Sequence, residues 1–319
     1  MNTWLGMDVG GTKLLIGEMD EHGTLLRSRR YETGYPNQEA ATAGILAALD
    51  AYRATVGYVG EPAAIGLGTV GIVNSEEGIW LAMDHIRRAP VGLASLLTSR
   101  CGLPAYLDND VRCATTAELL FGSGRETGHF LYVNVGTGIA AGCVSGGRIL
   151  RGANHNSGEV GHMVVSPELG IPCVCGRSGC VEPIASGGGL TARIRAALAD
   201  GIPTCLPAIP AGKGADIPAL FRCADAGDAL AATLVEDAAE ALARLVLNLV
   251  RVSDPDRIVL GGGVVSDGWM LGRMLPHLNA ATMRGVTRGI VLSRLDPEFT
   301  GLVGACSIAL LRAGGASNA

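Results

Sequence analysis

The chain has 319 residues, enough for two ordinary domains with ample core. Hydrophobic residues make up 48% and charged ones only 17%, which excludes a disordered chain, and 47 glycines suit an α/β enzyme with many tight turns. A formal net charge of −5 leaves no electrostatic footprint for nucleic acid or membrane. No apolar run approaches a membrane span, and MNTWLGMDVGG enters a strand without the basic and apolar regions of a signal peptide, so a cytoplasmic protein is expected.

Residues 4–9 form a short apolar strand, followed by Gly10-Gly11-Thr12-Lys13 and a second apolar run over 14–18. This predicts a hairpin with Asp8 at the end of its first arm, and residues 24–31 add a third strand. Backbone N–H groups in a glycine bend can cradle a phosphate, and Asp8 offers oxygen to Mg²⁺. The plain alternative is an ordinary hairpin turn. Residues 37–56 have helical spacing, 63–67 a buried strand, 79–82 a short strand and 89–101 a helix. Residues 103–107 form a strand that delivers Asp108-Asn109-Asp110, and a helix follows over 111–121. One of these three polar residues caps that helix. Capping needs only one, and strand ends are where α/β folds place their ligands.

The bend pattern returns in FLYVNVGTGIAAGCV, 130–144, where Asn134 takes the place of Asp8 and Gly136-Thr137-Gly138 that of the first bend. Two such hairpins suggest two similar domains facing each other across a nucleotide. A third cluster, Gly261-Gly262-Gly263, ends the predicted strand 257–260, where bare backbone lets an adenosine lie close. Between these clusters lies HMVVSPELGIPCVCGRSGCVE, 162–182. His162, Cys173, Cys175 and Cys180 are the ligands that a closed, structural zinc site uses. Glu159 and Glu182 flank it, so a metal that fixes the loop also fixes two carboxylates suited to a polyhydroxylated ligand. Either glutamate alone would read as a solvated charge. The other six cysteines stand singly and read as small hydrophobes in a reducing cytosol. Helices are predicted over 184–199, 218–223, 228–252, 269–282 and 302–311, a surface loop over 200–218, a strand over 290–295 and a disordered tail over 314–319.

MDVGGTK (7–13), DNDV (108–111), NVGTGIAAG (134–142), GEVGHM (158–163), CVCGRSGCVE (173–182) and VLGGGV (259–264) together make the chain resemble the ROK sugar kinases, within the actin-like, hexokinase-type ATPases. The resemblance runs nearly end to end. It implies two actin-like (ribonuclease H-like) α/β domains with a nucleotide and sugar cleft between them. These would be a small N-terminal domain over 1–120, with the C-terminal helix near 302–313 packing back on it, and a larger one over 121–301 carrying the zinc loop. It also implies ATP and Mg²⁺ binding, structural zinc, phosphorylation of a hexose or aminohexose, usually at the 6-hydroxyl, and commonly a homodimer.

Residue by residue, the resemblance makes Asp110 the general base and Asn109 its sugar-binding neighbour. Glu159, His162 and Glu182 would bind the C1 and C2 hydroxyls, with His162 also on zinc. Asp8, Gly10, Gly11, Thr12 and Lys13, with Gly136, Thr137 and Gly138, would hold the phosphates and Mg²⁺. Gly261, Gly262 and Gly263 would face the adenosine. The departures are Gly68-Thr69-Val70-Gly71 in place of Gly-x-Pro-Gly, Asp84-His85 in place of Asn-Leu, and Arg112 in place of Asn. Gly71 and Asp84 are carried as sugar contacts, and the added Asp84 charge would favour an amino sugar. The family's sugar-responsive repressors carry a DNA-binding segment ahead of the first strand. Seven residues precede Asp8 here, so a kinase is expected over a repressor or a sensor that has lost catalysis.

Overall fold

The computed structural model describes residues 1–11, 13–83 and 90–314. Two compact units divide the chain: 1–128 with 146–157 and 294–319, and 129–145 with 158–293. Expectations placed on Thr12, on Asp84 and His85, and on the tail after 314 lie outside the described residues.

The first unit begins with β1 (Asn2–Val9), β2 (Lys13–Met19) and β3 (Leu25–Glu32), then α1 (Gln38–Thr55) and β4 (Glu61–Thr69). After these come β5 (Ile72–Asn74), β6 (Ile79–Ala82), α2 (Leu93–Cys101), β7 (Ala105–Asn109) and α3 (Asp110–Leu120). Its main sheet has the order β3-β2-β1-β4-β7, with β1 antiparallel to β2 and parallel to β4. Ile45, Leu49 and Tyr52 of α1 join Leu5, Met7, Ile65 and Leu67 in one core. The other face takes α10 (Thr300–Ala313), which packs on β1, β4 and α3. Gly6, Gly17 and Gly66 are neighbours in register across β2, β1 and β4. A Cβ on Gly6 would meet Cys306 Sγ at 2.5 Å, and one on Gly66 would strike the Ala305 carbonyl. These bare positions let a helix lie directly on the sheet.

The short strand β10 (Arg148–Ile149) belongs to the first unit, and the second contains β8 (Phe130–Val135), β9 (Ile139–Ser145), α4 (Val181–Ala185), α5 (Gly187–Ala199), α6 (Ile217–Asp225), α7 (Ala229–Ser253), β11 (Arg257–Gly261), α8 (Trp269–Met274), α9 (Ala280–Met283) and β12 (Ile290–Leu292). Within this unit the sheet order is β9-β8-β11-β12, the pattern of β2-β1-β4-β7 again. Leu234, Ala238, Leu242, Leu245 and Leu249 of α7 lie in its core.

Three predicted elements differ. The helix over 184–199 is two helices, because Ser186 is extended and caps α5 through Gly189 N–H. The helix over 269–282 stops at Met274, and Pro276, which lacks an N–H, leads into a short 3₁₀ turn. The strand over 290–295 ends at Leu292. Cys205 and Cys223 form a disulfide with a Cα–Cα distance of 6.2 Å, so two of the six cysteines expected to stand singly are paired. The loop before α6 folds back onto the helix, a contact that a sequence separation of 18 concealed.

Candidate functional site

In the first unit the β1–β2 bend is closed by Gly10 N–H donating to the Lys13 carbonyl at 2.9 Å. Thr33 Oγ1 donates to the Gly10 carbonyl at 3.2 Å, a brace that no sequence motif marks. Gly11 has nothing within 4 Å of where a Cβ would be. Lys13 Nζ reaches the Glu298 carbonyl at 3.5 Å. Asp8 lies against the first turn of α10, where a Cβ on Gly301 would sit 2.6 Å from Asp8 Oδ2. Burial pushes the Asp8 carboxyl up to about 6, against the opposing pull of Lys13. A carboxylate held this way suits a divalent cation, whose charge would offset the desolvation.

At the tip of β7, Asn109 is the helix cap. Its Oδ1 accepts Val111 N–H at 3.0 Å and Arg112 N–H at 3.4 Å. The start of α3 therefore does not depend on Asp110 as its cap. Asn109 Nδ2 donates to the Gly71 carbonyl at 3.1 Å, which joins two of the predicted sugar contacts. The Gly71 loop is itself pinned: buried Trp80 donates Nε1–H to the Val70 carbonyl at 3.0 Å. Asp108, the third polar residue, is buried and ion-paired to Arg112 at 2.6 Å and Arg151 at 3.0 Å. The i,i+4 spacing of Asp108 and Arg112 is a signal that sequence reading could have used. Arg151 carries no such signal.

In the second unit the Gly136–Gly138 bend is gripped from three sides. Gly187 N–H donates to the Gly136 carbonyl at 2.8 Å and Gly188 N–H to that of Thr137 at 3.0 Å. Ile139 N–H donates to Glu182 Oε2 at 2.9 Å. From β11, Gly262 has φ +93°, and a Cβ there would meet Val135 at 2.5 Å and Gly136 N at 2.8 Å. Only glycine allows that approach. A Cβ on Gly261 would collide with the Tyr132 ring, whereas Gly263 has nothing within 4 Å. The packing of the described residues therefore does not require glycine at 263.

Glu182 Oε2 also lies 3.0 Å from a Cβ built on Gly161, so the carboxylate joins the bend to the Glu159–His162 segment. Glu159 opens the 3₁₀ turn Val160–His162. The predicted metal ligands converge there. His162 Nδ1 is 3.3 Å from Cys173 Sγ, and Cys175 Sγ is 3.6 Å from Cys180 Sγ. Ligand atoms of His162, Cys173 and Cys175 lie within 4.8 Å of one another. Nitrogen and sulfur ligands on one zinc, at bonds of about 2.1 and 2.3 Å, stand about 3.5–3.8 Å apart, and the spacing of His162, Cys173 and Cys175 is of that order. The Arg177 backbone N–H and side chain lower the Cys175 thiol to about 6, while burial pushes Cys180 up to about 12. Sequence reading missed Arg244 of α7, which donates to the Val165 carbonyl at 2.9 Å and to Glu168, tying the loop to the core helix.

Among the described residues, no helix is long and apolar enough to cross a membrane. The glucokinase of Halalkalibacterium halodurans is 32% identical to this chain over 90% of it and 88% of its own length. The structure of a ROK family glucokinase from Streptomyces griseus, in complex with glucose and AMPPNP, matches with a TM-score of 0.75 at 28% identity, covering 97% of this chain and 99% of that one. NagC, a DNA-binding transcriptional dual regulator of Escherichia coli, is 26% identical over 95% of this chain and 74% of its own length. The fold is the two-domain actin-like ATPase fold. The ROK family model matches residues 4–312, and the chain belongs to the ROK family.

Proposed function

We propose that this chain is an ATP-dependent hexose kinase that transfers the γ-phosphoryl group to a sugar hydroxyl, the 6-hydroxyl by preference. The observation that carries this reading is the tip of β7. Asn109 caps α3 and reaches Gly71, and Asp110 is the first helical residue beside it. A hydroxyl is a poor nucleophile near neutral pH, so a carboxylate in this position serves as general base. The sugar O–H proton passes to Asp110 as the sugar oxygen bonds to the γ-phosphorus. The bond from that phosphorus to the bridging oxygen breaks, and ADP leaves.

Such a transfer needs alignment and charge neutralisation more than covalent help. Asp8 would hold Mg²⁺, which supplies that neutralisation when bound. Gly10, Gly11 and Thr12, with Gly136, Thr137 and Gly138, would align the phosphates, and the open side of Gly263 would take the adenosine. Glu159, His162 and Glu182 would bind sugar hydroxyls. Zinc held by His162, Cys173, Cys175 and Cys180 would keep them in place. The glucokinase relatives at about 30% identity support a hexose acceptor. A homodimer in the cytoplasm accords with the family.

A coupled ADP-release assay over a hexose and aminohexose panel tests this. Sugar-dependent ADP release is expected, and turnover of glucose at or above that of aminohexoses would remove the case for Asp84 as an amino-group partner. Likeness to NagC supports a second reading, a sugar-sensing regulator. Saturable sugar binding without ADP release from any sugar would favour it.

A further inference from the structure

Arg112 lies 5% exposed beneath the β7–α3 turn, and its guanidinium touches three separate segments. Nε–H donates to Asp108 Oδ1 at 2.6 Å, Nη1–H to the His155 carbonyl at 3.3 Å and Nη2–H to the Val73 carbonyl at 3.4 Å. The other oxygen of Asp108 is 3.0 Å from Arg151. Asp108 Oδ1 also accepts Asn109 N–H at 2.8 Å. The buried carboxylate is thus hydrogen-bonded through Oδ1 and ion-paired through Oδ2, one residue before the cap and two before Asp110. His155 stands at φ +56°, a conformation costly for a residue with a side chain, and Arg112 grips its carbonyl.

We propose that Asp108, Arg112 and Arg151 form a brace that sets the position of Asn109 and Asp110, with Arg112 as a positioning residue for the phosphoryl transfer proposed above; the inference rests on that reading for its kinetic consequence only. The geometry explains why arginine is needed. The segment Gly71–Val73 is held to the β7–α3 turn twice, by the Gly71 carbonyl to Asn109 and by the Val73 carbonyl to Arg112. A lysine keeps the charge but has no planar fork, so it cannot serve Asp108, Val73 and His155 at once.

The test is Arg112→Lys, alone and combined with Asp110→Asn, with Arg151→Lys as the gentler variant because that side chain is 19% exposed. Arg112→Lys is expected to lower kcat by roughly 30-fold while KM for the sugar changes less than about threefold, because a displaced base slows the transfer without removing the sugar contacts. In the Asp110→Asn background it should change turnover less than about twofold, since it acts through that residue. Independent, multiplying effects would overturn the proposal, as would a kcat within about twofold of the unaltered protein. Hydrogen exchange reads the brace without any catalysis. In both Arg→Lys variants the amides of 109–112 should exchange at least about tenfold faster while the rest of α3 holds, and unchanged exchange would overturn the brace. If the unaltered protein turns over no sugar, the kinase reading falls and the exchange result still decides the brace.

Discussion

The two glycine hairpins share one topology and differ in charge and grip. In each, the polar residue at the end of the first strand faces a glycine of the neighbouring parallel strand: Asp8 opposite Gly68, Asn134 opposite Gly261. The first hairpin carries an acid whose burial raises it to about 6, and its bend is closed by Gly10 N–H and braced by Thr33. The second carries a neutral amide, and its bend is clamped by α5, Glu182 and Gly262. One repeated element has therefore become a charged centre in one unit and a rigid neutral cradle in the other. The two units thus keep the same strand pattern around bends that differ in charge and in what closes them.

The strongest break in that comparison should come at the charged unit's strand tip. Asp110→Asn is expected to cut sugar phosphorylation by about 10²–10⁴-fold while sugar binding by calorimetry stays largely intact. Near-normal turnover would remove Asp110 from the role of base. Asp8→Asn makes the first hairpin resemble the second and should lower turnover at least about 100-fold. It should also stabilise the fold. The Asp8 carboxyl moves from 3.8 to about 6 on folding, so the folded state favours its neutral form. The wild type therefore loses stability as pH rises from about 4 through about 6, by up to about 3 kcal/mol. Urea denaturation should show the mutant gaining that amount at pH 8 and nothing below pH 4. A pH-independent difference would contradict the buried acid.

In the second unit, the zinc proposed for His162, Cys173, Cys175 and Cys180 should on removal weaken sugar affinity about 10–100-fold, because Glu159 and Glu182 flank that loop. Equal affinity for metal-free and zinc-loaded protein would separate the loop from the sugar. Gly262→Ala should cost about 1–3 kcal/mol in urea denaturation, from its positive φ and the clash with Val135. The smallest effect on stability belongs to Gly263→Ala, within about 0.5 kcal/mol, with KM for ATP raised severalfold. A Gly263 variant as unstable as the Gly262 one would mean that both glycines serve packing alone.

Local chemistry marked much of this in advance. Alternating apolar arms around Gly-Gly and Gly-Thr-Gly specify hairpins, because only the bend needs bare backbone, and both hairpins form. Cysteine and histidine spacing marked a cluster that the structure draws within ligand distance. Helix limits were less legible where caps and proline override composition, as at Ser186 and Pro276.

The chain's own order thus determined its hairpins, its α/β class and its metal-type cluster, since each depends on residues close in sequence. Long-range packing decided the rest. It chose Asn109 over its neighbours as the cap, joined Asp108 to Arg151 43 residues on, brought Cys205 to Cys223, and laid α10 on a glycine patch of β1, β2 and β4. Ion pairs, thiols and helix-on-sheet contacts carry no periodicity, so their partners emerge only when the chain closes.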